Sequence, residues 1–150
     1  MIEIAATSVI TISSALLFAY WYRYTCLLIL SAKTAKDYAG QVAAANQLSF
    51  AQVQAQLRHA GSAELDRLQQ SLDRDYAVLT GLFRRAHIST DESHLEEYML
   101  QFNYRLMNAW YRASRRFSPQ AARHALEEMS RVVAYFANAV GERASAGAAA

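Results

Sequence analysis

Residues 4–22 read IAATSVITISSALLFAYWY, a run without a single charged side chain. As a helix rising 1.5 Å per residue it is about 28 Å long, close to the ~30 Å hydrocarbon core of a bilayer. Arg23 interrupts the run, and residues 25–32 continue it uncharged. Tyr20, Trp21, Tyr22 and Tyr24 bracket Arg23. Aromatic side chains of this kind settle at headgroup depth, and a long arginine there reaches back toward water. The five residues Tyr20–Tyr24 are therefore expected at a membrane interface, and the stretch from Ile4 to Leu30 is expected to span the bilayer. A span shifted toward Leu30 would instead bury Arg23, where a charge is costly and therefore functional.

Glu3 precedes the run, no basic segment does, and no small-x-small site followed by a polar start is evident. An anchor is expected rather than a cleaved signal. Arg23, Lys33 and Lys36 follow the run. Positive charge favours the cytoplasmic side, which places the N-terminus outside and the remaining chain in the cytoplasm, at an inner (plasma) membrane. The arginine- and alanine-rich composition is of the kind GC-rich bacterial genomes encode. Thr7, Thr11, Ala15 and Ala19 form a small-residue stripe on one face of the span, the pattern that lets transmembrane helices approach closely.

The rest of the chain reads as helix. There is one proline, Pro119, few glycines and no sustained alternation of apolar and polar residues. The expected fold is all-α: one N-terminal transmembrane helix (1–31), a juxtamembrane helical hairpin (32–61), a small antiparallel bundle of three amphipathic helices (62–141), and a small-residue tail (142–150). A stretch from Ala32 to Leu48 is expected to continue from the span. Ser49 reads as the N-cap of a short helix that buries Phe50, Val53 and Leu57.

The three longer helices each carry apolar residues at spacings of three and four. Ser62 is the expected cap of the first, whose stripe is Leu65, Leu68, Leu72, Tyr76, Leu79 and Phe83. Ser89 and Glu92 form a capping box for the second, with Leu95, Met99, Phe102, Leu106, Ala109 and Ala113 as its stripe. Ser118 and Pro119 restart the chain as cap and first helical residue. The third stripe is Ala122, Leu126, Met129, Val133, Phe136 and Val140, and Gly141 suits its stop.

The helix from Asp91 to Phe117 also has Tyr98, Leu100, Tyr104, Met107, Trp110 and Tyr111, so it is apolar around most of its circumference. Such a helix is either central or covered on two sides. One covering would be its neighbours. The other would be a partner protein or lipid, met by Tyr104, Trp110, Tyr111, Arg112, Arg115 and Arg116, since Tyr, Trp and Arg are enriched in interface cores and arginines suit anionic headgroups.

No residue pattern points to catalysis. His59, His87, His94 and His124 include Asp91-x-x-His94 and His124-x-x-Glu127, but a di-iron bundle needs Glu-x-x-His units, and the sequence has none. Gly40, Gly61 and Gly81 stand alone and make no phosphate loop. The single cysteine, Cys26, excludes an intrachain disulfide and reads as an apolar residue. No enzyme activity, cofactor, metal or small-molecule substrate is expected, and a net charge of +2 gives no case for nucleic acid.

Val42 to Leu57 resembles a helix-turn-helix core, with a serine cap and buried valine but Gln47 where the turn glycine is expected. It implies a membrane-tethered regulator as one alternative. A subunit of a redox or light-driven complex is another. The leading expectation is a non-catalytic, single-pass accessory or scaffolding subunit. Its partners would be the membrane itself and other membrane subunits or a second copy, with anionic lipid a further option.

Overall fold

A computed structural model of the chain describes residues 1–32, 36–85 and 93–149. These residues contain helix and turn and no strand. In chain order the helices are α1 (Ile2–Ser31), α2 (Ala39–Asn46), α3 (Phe50–Leu57), α4 (Leu65–Arg85), α5 (Ser93–Ser114) and α6 (Pro119–Ala149). The chain divides into two compact units, Met1–Lys33 and Thr34–Ala150. Lys33, His87, Asp91 and the box of Ser89 and Glu92 lie outside the described residues.

The first unit is α1, an unbroken helix of 30 residues. It is long and apolar enough to cross a membrane, alone in this among the described residues. Its side chains are exposed from Ile2 to Trp21. Three hydroxyls in this apolar run turn back on the helix's own backbone. Thr7, Ser8 and Thr11 each donate to the carbonyl four residues earlier at 2.8 Å, which leaves little polar surface facing outward. The helix ends at Ser31. Ala32 is extended (φ −61°, ψ 125°), and Asp37 Oδ1 accepts the N–H of Ala39 at 3.0 Å, a local turn that starts α2. The expected continuation through Ala32–Leu48 is therefore replaced by a separate helix, because a side chain bonding to nearby backbone competes with helix.

The second unit is built on α6. The other four helices, α2 to α5, all pack against it. Small residues explain this: Ala122, Ala125, Ala137 and Gly141 are buried along α6, between Leu126, Met129, Val132, Val133, Phe136 and Val140. Short side chains let neighbouring backbones come close, while the larger ones fill the gaps between them. The sequence left the helix at 91–117 as either central or covered from outside; α6 holds the centre.

Helix directions follow from the contacts. Glu97 of α5 meets Arg143 of α6, while Asn103 meets Glu128, so α5 and α6 run in opposite senses. Asp73 meets Tyr104 and Asp66 meets Tyr111, so α4 and α5 do as well. At the centre, the Phe136 ring meets Tyr76 and Phe83 edge-on, with centroids 6.0 and 5.6 Å apart.

The α4 and α6 stripes are buried, except that Tyr76 is partly exposed. The α3 face of Phe50, Val53 and Leu57 is buried too. The α5 stripe is a correction. Leu95, Phe102, Leu106, Ala109 and Ala113 face outward, and the buried face is Glu97, Leu100, Tyr104, Met107, Tyr111 and Ser114.

Several ends also differ. Gly141 does not stop α6, which runs on to Ala149. α4 starts at Leu65, and Glu64 reaches back to the N–H of Gly61 at 3.4 Å, so Ser62 lies in the turn rather than capping. Ser118 caps α6 as expected, accepting the N–H of Ala121 at 3.3 Å. Ser49 holds the N-cap position of α3; its carbonyl accepts the N–H of Val53 at 2.9 Å, but its side chain makes no cap bond. Its hydroxyl and its N–H both donate to Oδ2 of the buried Asp75, at 3.1 and 2.7 Å.

Candidate functional site

Many polar side chains inside the second unit are bonded to one another; among the described residues, Oδ1 of Asp75 and Nε of Arg123 are buried without a hydrogen-bond partner. Between α4 and α5 runs a polar seam. Asp73 accepts from the Tyr104 hydroxyl at 2.8 Å, from Asn108 at 3.1 Å and from Gln69 at 2.5 Å. Asp66 accepts from Tyr111 at 2.6 Å and from Arg115 at 2.5 Å. The Tyr111 hydroxyl, then the Arg115 guanidinium, hold the Asp66 carboxyl below its usual value. Burial, reinforced by the carboxylate that accepts its proton, pushes each of Tyr104 and Tyr111 well above the usual phenol value. Proton donors held this firmly are structural ties rather than acids poised near neutral pH.

Between α5 and α6, Glu97 pairs with Arg143, whose guanidinium also lies 3.6 Å from the centroid of the Phe83 ring. Glu128 accepts from Asn103 at 2.7 Å. Arg123 of α6 donates to the carbonyl of Ala60 at 2.8 Å, tying down the turn after α3. His94 and His124 each face a glutamate one turn along their own helices, at 3.8 and 3.4 Å. Among the described residues, no three His, Cys, Asp or Glu side chains are grouped to hold a metal.

The hairpin of α2 and α3 has the turn its sequence suggested. Gln47 takes the left-handed conformation (φ 54°) in which glycine was expected. The buried face of α3 turns to the core, leaving Gln52, Gln54, Gln56 and Arg58 exposed.

The outer surface is dominated by α5. Leu95 (68% exposed), Tyr98, Phe102, Leu106, Trp110 (53%) and, just past the helix, Phe117 (86%) all face outward. Their spacing of three and four residues puts them on one side of the helix. Arg105, Arg112 and Arg116, spaced seven and four residues apart, fall along one edge of that side, and all three are exposed. Exposed apolar residues gathered on one side of a helix make it a candidate interaction surface.

Of the six contact residues expected from the sequence, Trp110, Arg112 and Arg116 lie on this outer side. Tyr104 (3% exposed) and Tyr111 (1%) do not. Both are buried in the seam, because their hydroxyls find Asp73 and Asp66 there. Arg115 is turned to Asp66 as well. Sequence reasoning missed Leu95, Tyr98, Phe102, Leu106 and Phe117 as surface and Arg105 as their neighbour. The signal that could have found them is the matched spacing of Asp66 and Asp73 with Tyr104 and Tyr111, which selects the inner face of α5.

On α1, Tyr20, Trp21 and Tyr24 are exposed, while Tyr22 and Arg23 are partly covered. Tyr20 and Tyr24 stack one turn apart with centroids 6.5 Å apart. Thr7, Thr11, Ala15 and Ala19 are all exposed on their shared stripe. No known protein family matches this chain, and no curated protein or solved structure is significantly similar to it.

Proposed function

We propose that this chain is a single-pass membrane protein that works by binding rather than by catalysis, as an accessory or scaffolding subunit of a bacterial inner-membrane assembly. The observation that carries the reading is α1: 30 residues of continuous helix, exposed along its apolar length, with threonine and serine hydroxyls folded back onto its own backbone. In water such a surface is costly, whereas in hydrocarbon it is at home. Tyr20, Trp21, Tyr22, Arg23 and Tyr24 would set its depth. Glu3 before the span, with Arg23, Lys33 and Lys36 after it, favours an outside N-terminus and a cytoplasmic helical bundle.

Two contacts then act together. The Thr7–Ala19 stripe offers the span a helix to pack on within the bilayer. The outer side of α5 offers a second attachment beyond it. Two contacts on one chain raise avidity through effective concentration, so neither has to be strong alone. Glu97 and Glu128 are tied to Arg143 and Asn103 inside the fold, which suits a structural role for these two carboxylates.

The test is fractionation of the full chain carrying a C-terminal tag, followed by mild-detergent purification. Retention in the membrane after alkaline carbonate washing, an intact N-terminus by mass, and stoichiometric co-purification of larger membrane proteins are expected. A product shortened within the first 31 residues and released to a soluble fraction would show α1 to be a secretory signal. A clean monomer without companions would remove the accessory role.

A further inference from the structure

We infer that the outer side of α5, from Leu95 to Phe117, is a docking surface for an anionic lipid bilayer. This rests on the reading of α1 as a span only in where it finds that bilayer. Three observations converge on lipid as the occupant. The apolar residues are those of interfacial helices, with Trp110, Phe102, Leu95, Leu106 and Tyr98 on one side. Phe117, just past the helix end, is exposed as well. The charge beside them is of one sign. Arg105, Arg112 and Arg116 are exposed along one edge, and among the described residues no ion pair engages them. The acids of α5 lie elsewhere: Glu97 is buried against Arg143, and Glu96 accepts from Tyr135 of α6 at 3.3 Å.

A second copy of the chain fits this face poorly. Two-fold pairing with the α5 helices antiparallel sets the arginine edge against its own counterpart. Pairing with them parallel sets the arginines over the edge of Leu106 and Trp110. Within α5, neither arrangement sets a carboxylate of one copy against the guanidinium groups of the other, and like charges at an interface are strongly disfavoured. An anionic leaflet supplies what is missing. Phosphates meet the three arginines through charge-assisted hydrogen bonds. The aromatic and aliphatic side chains enter the boundary between headgroups and acyl chains, with the arginine stems lying along it. Seven residues, 32–38, join α1 to α2. They reach at most about 25 Å when fully extended, so a chain anchored by α1 keeps its bundle close to a leaflet.

The experiment uses the full chain reconstituted into vesicles of phosphatidylcholine alone, or with phosphatidylglycerol added, each doped with brominated lipid as a quencher. The protein has two tryptophans, Trp21 and Trp110, so Trp21→Phe leaves Trp110 as the reporter of α5 and Trp110→Phe leaves Trp21 as the reporter of α1. Trp110 should be quenched when phosphatidylglycerol is present and released by high salt. The three arginines imply an anionic-over-neutral preference on the order of a hundredfold. Replacing Arg105, Arg112 and Arg116 together by Gln should abolish that preference without unfolding the bundle, since all three are exposed.

Trp110 that stays unquenched with phosphatidylglycerol overturns the proposal. So does quenching that the triple variant retains in full. Trp110 shielding that depends on protein density instead of lipid charge also overturns it, and assigns the face to a protein partner or second copy. Trp21 decides the underlying reading separately. Its quenching in both vesicle types supports the span; its failure to be quenched removes the span whatever Trp110 shows. Charge-dependent quenching of Trp110 supports the docking surface in either case.

Discussion

Tyr104 donates its hydroxyl proton to Asp73 across the space between α4 and α5, at 2.8 Å. Seven residues along each helix, the same pairing recurs where Tyr111 meets Asp66 at 2.6 Å. The two helices run antiparallel, so the matched seven-residue spacing fixes their register. Tyr76 stacks on Tyr104 with centroids 3.9 Å apart, which packs the seam as well as bonding it. Tyr104→Phe keeps the ring and removes the hydroxyl. A hydrogen bond to a charged acceptor contributes about 1.5–3 kcal/mol, so the variant should lose stability of that order. Tyr111→Phe should lose less, because Asp66 is exposed and retains Arg115. Denaturant titration followed by circular dichroism, in one detergent for all proteins, measures both. Equal and negligible losses would show the seam to be incidental.

The same tyrosines make stability fall at high pH. Burial, with Glu96 beside it, pushes Tyr135 up to about 12, and Tyr104 and Tyr111 are raised too. Between pH 10 and 12 the unfolded chain gives up phenolic protons that the folded chain retains. The contribution is therefore complete below pH 10 and is lost as pH rises through this window. Asp66 works at the other end. Its carboxyl is lowered from a reference value of 3.8. Its contribution is present above that value and disappears as pH falls through the lowered one. Melting temperatures across both ranges should show two declines, and Tyr135→Phe should flatten the alkaline one. An alkaline slope unchanged by that variant would assign the decline to other groups.

The sequence disclosed α4 and α6 well because each carries one apolar stripe and a clearly polar remainder. Leu65, Leu68, Leu72, Leu79 and Phe83 could face only one way, and they are buried. α5 was ambiguous because it has two apolar sides. Counting apolar residues favoured Leu95, Phe102 and Leu106, yet the core took the side with Glu97, Asn103 and Tyr104. What decided was hydrogen bonding. Buried polar groups need partners, and Asp66, Asp73, Glu128 and Arg143 supply them to that side alone. A local reading could not see this, because each partner lies at least 25 residues away in the chain, the shortest span being Asn103 to Glu128. Ser49 sits at the N-cap position its sequence suggested, but its side-chain partner was hidden for a similar reason. It looked like a cap by its neighbours, but Asp75 from the next helix claims its hydroxyl. Of the candidate surface, Trp110 and two arginines were legible; Leu95, Phe102 and Leu106 were read as a core stripe, Tyr98 was left open, and Phe117 and Arg105 were given no role.

The tail offers a sharp contrast. Residues 142–150 read as a small-residue tail with nothing to pack, either frayed or extending the helix, and α6 does run through them to Ala149. Arg143 is the exception, since it pairs with buried Glu97 and covers the Phe83 ring. Truncation after Arg143 removes only the exposed end of α6 and should change stability by less than about 0.5 kcal/mol. Truncation after Gly141 leaves Glu97 buried without its partner, which costs about 3 kcal/mol or more. Thermal melts of the two truncations, compared with Arg143→Ala in the full chain, measure this. If the shorter form matches the longer one, the pair contributes nothing.

Gly81 and Gly141 are both helical, yet alanine should act on them in opposite directions. At Gly81 on α4, an added methyl group meets nothing within 4 Å. Alanine there restricts the unfolded chain and favours helix, which is worth roughly 0.5–1 kcal/mol of added stability. At Gly141 the methyl would stand 2.3 Å from Cβ of Tyr38 and 3.1 Å from Val42. Backbone holds Tyr38 in that place, since its N–H donates to Asn138 Oδ1 at 2.7 Å. The ring cannot swing clear while its Cβ is the obstacle, so α2 would have to lift from α6. Overpacking of this kind costs about 1–3 kcal/mol. The loss should be local, and hydrogen exchange should show amides of α2 opening faster in Gly141→Ala while those of α4 keep their protection. A Gly141→Ala protein as stable as the parent would mean that α2 does not rest on α6 at this point.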